Sequence, residues 1–330
     1  VGNYPYIFNG VLFSGYLPGT QLNNLNLSWE TSTTLNAGLD FGLFSNRLTG
    51  SIDYFDTRTT DLLTDISLSG IGGYTNTITN GGETRNHGIE ILLSGNIIRN
   101  KNFNWNVTTA FTSYRNEIVK TGVTGVAGKQ KNDIGRGRYV GTPINNIRTY
   151  VFDGIFQTDA DAINSAQGSL GGTITPFQNV ATLLAGAIRL KDVNGDGRIN
   201  DDDQVIFATD PKWFSSISTT VSYKSFDLLA DLYFVEGTMK INPYLSSFNE
   251  GGTLQSVRNG IKVDYWTPEN PSNTFPRPNY SAAPANVSSL GLRESSYVRL
   301  RTLSLGYNMQ NSLLDKMKLS GLRVYITASN

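Results

Sequence analysis

Hydrophobic and polar residues alternate with a period of two in paired runs along this chain, and short polar turns join the members of each pair. That period sends successive side chains to opposite faces of a strand, so each pair predicts an antiparallel hairpin with one apolar face. In the first pair Ala37, Leu39, Phe41 and Leu43 alternate with Gly38, Asp40 and Gly42. After the turn Phe44-Ser45-Asn46, a second run sets Leu48, Gly50, Ile52 and Tyr54 against Thr49, Ser51, Asp53 and Phe55. Similar pairs occupy residues 86–98 with 103–114, 213–223 with 226–235, and 296–307 with 318–328. Four hairpins are expected, over about residues 31–58, 86–114, 213–235 and 296–328.

The segments between the hairpins, residues 59–85, 115–212 and 237–295, are far longer than the turns within them. Short turns at one end and long loops at the other are the signature of a transmembrane barrel, with periplasmic turns and extracellular loops. Parity then sends the run ending at Tyr114 outward and brings the run starting at Trp213 back. A strand-like stretch at residues 144–156 is therefore expected in an extracellular excursion. Trp29, Tyr54, Trp105, Tyr114, Trp213, Tyr223, Tyr307 and Tyr325 cluster near strand ends, as in an interfacial aromatic girdle. Cross-strand aromatic pairs of a soluble sheet are the alternative. One strand resists the pattern, because Arg299 and Arg301 share parity with Leu303, Leu305 and Tyr307. Either a bulge switches the face there or the arginines lie above the bilayer.

Composition narrows the class. Charged residues are 16% of the chain, against roughly 25% in soluble domains, while 34 Gly and 16 Tyr help fill the deficit. A barrel wall, apolar towards lipid and polar towards the lumen, has this composition; a secreted β-sandwich remains the competing reading. Lys+Arg and Asp+Glu are both 27, which removes any basic excess for nucleic acid. The absence of Cys excludes a disulfide framework and a thiolate zinc site. No apolar run reaches the roughly 18 residues of a transmembrane helix. The chain opens at Val1-Gly2-Asn3 without a signal-peptide pattern and reads as an internal fragment.

The sharpest local signal is the loop at residues 192–203. Asp192, Asn194, Asp196 and Gly197 match positions one, three, five and six of the EF-hand calcium pattern. Arg198 would offer its carbonyl, Asn200 fits position nine, and Asp203 stands where a bidentate Glu is usual. Hard oxygen donors at alternating positions suit Ca2+, here as a structural brace; a solvated Asp/Gly turn is the plainer alternative. No nucleophile or general base accompanies this loop, and the single His87 supports no triad. Asp201, Asp202 and Asp203 read as solvated or metal-shielded rather than as hydrolytic acids. Tyr265, Trp266, Phe275 and Tyr280 lie among prolines in the last long segment, where ring faces could stack on sugars or pack a partner. They could equally hold that segment together, the preferred reading for Trp266.

Four stretches, taken in order and spacing, resemble the SusC/RagA family of TonB-dependent outer-membrane transporters. They are Asn26-Leu27-Ser28-Trp29-Glu30-Thr31 through Gly38-Leu39-Asp40-Phe41 to Thr60-Asp61-Leu62-Leu63; Lys191-Asp192-Val193-Asn194-Gly195-Asp196-Gly197-Arg198-Ile199; Tyr265-Trp266-Thr267-Pro268-Glu269-Asn270-Pro271; and Ser296-Tyr297-Val298-Arg299-Leu300-Arg301 through Leu305-Gly306-Tyr307. The resemblance implies an all-β fold, part of a large transmembrane antiparallel β-barrel of roughly 22 strands with a plugged lumen. The chain would hold later strands, with the plug domain outside it. Ser329-Asn330 lacks the terminal aromatic common in such barrels, so further strands are expected beyond it. The resemblance also implies active import of oligosaccharides or peptides across the outer membrane of a Bacteroidetes-type Gram-negative envelope. A SusD-like surface lipoprotein would cover the outer loops, TonB would act on the plug, and no enzymatic activity is expected. A passive porin or adhesin barrel and a secreted calcium-binding β-protein are the competitors.

Overall fold

The structure, a computed structural model, describes residues 2–17, 19–69, 71–124, 129–167, 184–246, 264–277, 288–309 and 318–330. In chain order, β1 (Gly2–Phe8) and β2 (Val11–Leu17) form a hairpin, and β3 (Gln21–Leu22) follows. Four long strands come next: β4 (Thr31–Leu43), β5 (Leu48–Ser67), β6 (Asn76–Arg99) and β7 (Phe103–Thr121). A first excursion carries β8 (Asn146–Thr149), β9 (Phe152–Ile155), helix α1 (Asp159–Asn164), β10 (Ile188–Leu190) and β11 (Val205–Ala208). The hairpin β12 (Trp213–Tyr223) and β13 (Phe226–Glu236) precedes a second excursion with β14 (Met239–Ile241), α2 (Pro243–Ser246), α3 (Ser288–Gly291) and β15 (Leu292–Glu294). Strands β16 (Tyr297–Asn308) and β17 (Arg323–Ser329) complete the set. No helix among the described residues is long and apolar enough to cross a membrane, which says nothing of crossing by strands.

Two compact units result. Val1–Ile144, Lys212–Phe234 and Val298–Asn330 form the first, and Asn145–Pro211 with Val235–Tyr297 the second. The first is built on a sheet in the order β4-β5-β6-β7-β12-β13-β16-β17, with β3 added in parallel beside β6. Tight turns set its register. Leu43 pairs with Leu48 across Phe44, Ser45 and Asn46, all left-handed at φ 55, 56 and 62. The Asn46 side chain folds against Gly42, where a Cβ would obstruct it. The β1–β2 hairpin escaped the sequence reading, although its signal was present. Asn9 and Gly10 sit at φ 52 and 78, the left-handed pair that a two-residue hairpin turn requires.

The strands run further than the hydropathy pattern does. Residues 59–85, read above as an extracellular segment, are mostly strand. The β5–β6 ladder continues to Ser67↔Asn76, with register shifts between Thr59 and Leu63. Likewise β7 continues to Thr121. The pattern fades because neither face there needs to be apolar, while backbone N–H and C=O groups still need partners. The strand expected over residues 144–156 is two strands broken at Tyr150-Val151, β8 pairing with β11 and β9 with β10.

Cross-strand register sorts the sheet into two faces. Leu39, Ile52, Ile91 and Phe111 lie in one row, and Leu43, Leu48 and Val107 in another of the same parity. Opposite them run Asp40, Ser51, Asp53, Glu90, Thr112 and Ser218, with Leu92 an apolar exception. Parity corrects the aromatic girdle. Tyr54 belongs to the apolar face, but Tyr114 pairs with Gly88 opposite Phe55, on the polar one. Tyr325, two residues from the Arg323 that pairs with Asp227, is also on that side. Nearness to a strand end had selected these rings without regard to which way they point. The arginine anomaly resolves as a slip. Asp227 accepts from Asn308 and lies against Gly306, while Asp231 pairs with Arg301 at 2.9 Å. Uninterrupted alternation would put Gly306 and Arg301 on opposite faces, so the alternation shifts by one residue between these contacts.

Candidate functional site

The acidic loop is closed by its own hydrogen bonds. Gly195 and Gly197, at φ 74 and 79, turn the backbone so that their N–H groups donate to Asp192 Oδ1 at 2.7 Å and Oδ2 at 2.8 Å. Asn194 Oδ1 accepts from Asp196 N, and Asp196 Oδ1 from Arg198 N. Asp203 is fully buried. Its Oδ1 accepts from Val193 N at 2.9 Å and its Oδ2 from Asn200 N at 2.8 Å, while the Asn200 side chain accepts from Asp202 N. This reciprocal box caps the short 3-10 turn Asp201–Asp203. The oxygen set of Asp192, Asn194, Asp196, the Arg198 carbonyl, Asn200 and Asp203 has the chemistry that a hard cation needs. Its carboxylates are turned to backbone donors, however, and among the described residues no three acidic, His or Cys side chains gather as a metal-holding group. A cation would have to share these oxygens with the N–H groups.

The aromatic candidates of the second excursion divide. Trp266 is 8% exposed and packs with Ile155, Ile188, Leu190, Ile199 and Leu290 in the core of the second unit. Its indole Nε1 donates to Gln157 Oε1 at 3.0 Å, satisfying the one polar atom of the buried ring. Phe275 packs at the edge of this core, and Tyr265 is half-buried. Tyr280 lies outside the described residues. The two excursions are thus one folded body. Ile155 N donates to Asn273 Oδ1 at 2.7 Å, and Arg277 N to Gly186 O at 2.8 Å. Gly186, at φ 82, lies so close to the Trp266 ring and the Arg277 side chain that a Cβ there would strike both.

Within the first unit, the polar face carries an aromatic arc that the sequence reading missed. The Phe55 ring lies over Gly88 towards Tyr114. Tyr114 meets Phe214 at 6.5 Å between centroids, Phe214 meets Tyr233 at 6.3 Å, and Arg301 stacks 5.0 Å above Tyr233. Beside Phe55, a cavity of about 430 Å³ is lined by Thr34, Asn36, Asp53, Thr57 and Glu90. No local motif announces this arc, because Tyr114 and Phe214 meet only when β7 and β12 pair across the first excursion.

Residues 2–330 match the family described as TonB dependent receptor-like, beta-barrel. Among curated relatives, TonB-dependent receptor P26 of Formosa agariphila is 28% identical over 341 residues, covering 98% of this chain and 32% of that protein. TonB-dependent receptor SusC of Bacteroides thetaiotaomicron is 26% identical over 355 residues, covering 98% of this chain and 30% of that protein. The chain therefore spans about a third of the length of these relatives. Among solved structures, the RagAB peptide transporter superposes with a TM-score of 0.67 at 23% identity, over 99% of this chain and 35% of that one. RagAB in its closed-closed state gives 0.68 at 24%, over 100% and 34%. At that identity the likeness establishes the fold. The resemblance to SusC/RagA proteins and the all-β, barrel-type fold are borne out, and the reading as a secreted soluble β-protein falls. These relatives are named as TonB-dependent receptors and as a peptide transporter. Matched along residues 2–330, and with a first unit built on a mostly antiparallel sheet that has an apolar and a polar face, the chain belongs to the TonB-dependent receptor-like β-barrel family.

Proposed function

We propose that this chain is part of the wall, with outer excursions, of an energised multi-pass importer in the outer membrane of a Bacteroidetes-type bacterium. The observation that carries the reading is the family match over residues 2–330, joined to relatives named SusC and RagAB. In this reading the apolar face meets lipid and the polar face lines the lumen. TonB acts on a plug outside this chain, and a SusD-like lipoprotein docks on the body formed by the two excursions. The importer takes up oligosaccharides or peptides without chemical conversion, and the arc of Phe55, Tyr114, Phe214 and Tyr233 offers ring faces to either. The decisive test purifies the full receptor with its partner and identifies the material held in the lumen by mass spectrometry. Uptake of that material should stop in a TonB-deficient strain. Uptake that continues there points to the passive porin instead.

Calcium in the 192–203 loop belongs to the same proposal, held by Asp192, Asn194, Asp196, the Arg198 carbonyl, Asn200 and Asp203. The donor chemistry and the two left-handed glycines support it. Calcium added at millimolar level to the full receptor should slow hydrogen exchange in this loop, and Asp192→Asn with Asp196→Asn should abolish the slowing. An exchange rate in the native protein that is indifferent to calcium removes the cofactor from the proposal.

A further inference from the structure

We propose that the apolar face of the sheet carries, directly above its apolar band, a site for the phosphate of an anionic lipid headgroup, centred on Arg58 and Arg85. The inference rests on the reading of that face as lipid-facing. Register carries the argument. The row Ala37–Tyr54–Ile89 is followed on the same face by Leu35–Asp56–His87–Arg115, and then by Thr33–Arg58–Arg85–Glu117. Within two rows a hydrocarbon-like surface becomes densely charged, as the depth profile of a barrel wall requires where hydrocarbon gives way to headgroups.

The charges are segregated by depth. Glu83 bonds Arg58 through one oxygen and Lys120 through the other at 2.6 Å, and Arg85 clasps Asp56 at 2.6 Å. The Glu83 and Asp56 side chains are 2% and 23% exposed, whereas those of Arg58, Arg85 and Lys120 are 59%, 40% and 48% exposed. Arg115 is exposed and makes no ion pair among the described residues. Glu83 and Asp56 are therefore sunk and the bases stand outward, so the surface offered to a headgroup is mainly cationic, with half-buried Glu117 as the remaining acid beside Arg85.

A second observation points to an anion. Arg58 and Arg85 are direct cross-strand partners; Glu83 and Asp56 offset this like-charge pairing from the buried side, while the two guanidiniums keep exposed surface on the other. Both line a groove of about 630 Å³ together with Thr33, Leu35 and the carboxylates of Asp56 and Glu117. Two guanidiniums side by side match the oxygens of one phosphate. Leu35, 66% exposed, and Tyr54, 40% exposed, continue from the groove onto the apolar face, where an acyl chain from the same molecule would lie. That continuity favours a lipid over a free anion or an acidic protein.

The test uses the full-length receptor, delipidated in detergent and offered phosphatidylglycerol, phosphatidylcholine or inorganic phosphate, with bound molecules counted by native mass spectrometry. Phosphatidylglycerol should be retained preferentially. Arg58→Gln with Arg85→Gln should weaken retention about tenfold or more, and Arg189→Gln, a cation lost from the second unit, should not. Arg115→Gln breaks no ion pair among the described residues and should weaken retention partially, which serves if the double variant fails to insert. Equal retention by the Arg58/Arg85 and Arg115 variants overturns the site, and so does phosphate binding as tightly as the lipid. Labelling of Leu39→Cys by a lipid-soluble probe reports separately on the face, so its failure sinks the lipid-facing reading rather than the arginine site.

Discussion

Asp65 stands near the end of β5, beyond the apolar rows, and ties two segments together. Its carboxylate accepts from Asn76 Nδ2 at 3.0 Å and from Arg136 at 2.9 Å, and Arg136 also donates to Ser67 Oγ at 2.7 Å. The bonds from Asn76 and then Arg136 hold its pKa below the ordinary value, against the opposing effect of desolvation. A depressed carboxylate stabilises above its unfolded pKa of about 3.9 and loses that contribution as pH falls through the lower folded value. Amide exchange around Ile134–Arg136, corrected for the intrinsic rate at each pH, should therefore be slow at neutral pH and speed up only on strong acidification. In Asp65→Asn it should be fast at neutral pH already. Asp203 makes a different kind of contribution, because it is buried and serves three backbone donors, those of Val193, Asn194 and Asn200. Asp203→Ala should cost about 1–3 kcal/mol for each buried N–H left unpaired, read as lost exchange protection at Val193 and Asn200. Asp203→Asn, which keeps one acceptor, should lose less.

At the scale of the strand, alternation does two jobs. It pairs apolar residues across the ladder, as Leu39 with Ile52, and it keeps Asp40, Asp53, Asp227 and Asp231 off the same face. Turning the acids towards hydrocarbon would cost several kcal/mol each, on the order of the intramembrane penalty for a charged side chain. Single cysteines at Leu39, Phe41, Ile52, Leu228, Leu232 and Phe234 should react with a lipid-soluble probe in micelles, and cysteines at the four aspartates with a water-soluble one. Reaction of both sets with both probes would reject the sidedness. The acids near the far edge are also paired, Asp227 with Arg323 at 2.5 Å and Asp231 with Arg301 at 2.9 Å. At Gly306 a Cβ would meet the side-chain ends of both Asp227 and Arg323, so Gly306→Val should displace that ion pair while the backbone ladder of β16 with β17 persists.

At the scale of the molecule, the two excursions fold as one body although a complete hairpin separates them in sequence. Trp266→Ala empties a core position filled from both sides, at about 3–5 kcal/mol. It should raise amide exchange not only around residue 266 but at Ile188–Leu190, in the other excursion. If exchange at Ile188–Leu190 stays unchanged, the excursions are energetically independent. The same coupling shapes the test of partner docking. A deletion that includes Trp266 would collapse the body whether or not a partner binds it. Removing residues 247–263 alone leaves Trp266 in place and should lower co-purification of the lipoprotein while keeping the core protected. Undiminished co-purification would move the docking surface elsewhere.

The amino-acid sequence alone determined the strands, their faces and their tight turns. Period-two alternation and left-handed turn residues are local, and each is complete within a few positions. Even the β1–β2 hairpin was legible, in Asn9-Gly10, and went unread. The loop at residues 192–203 was legible as donor spacing, but the burial of Asp203 was not, because what covers a side chain is set by distant residues. Tertiary structure decided everything that required a distant partner. It carried the ladders past the end of the hydropathy pattern, where backbone pairing persists without an apolar face to mark it. It turned Tyr114 to the polar face beside Phe214 once β7 met β12, and it shifted the alternation near Arg301. It buried Trp266 against Ile155 and Ile188, so that two stretches read as separate loops close a single core.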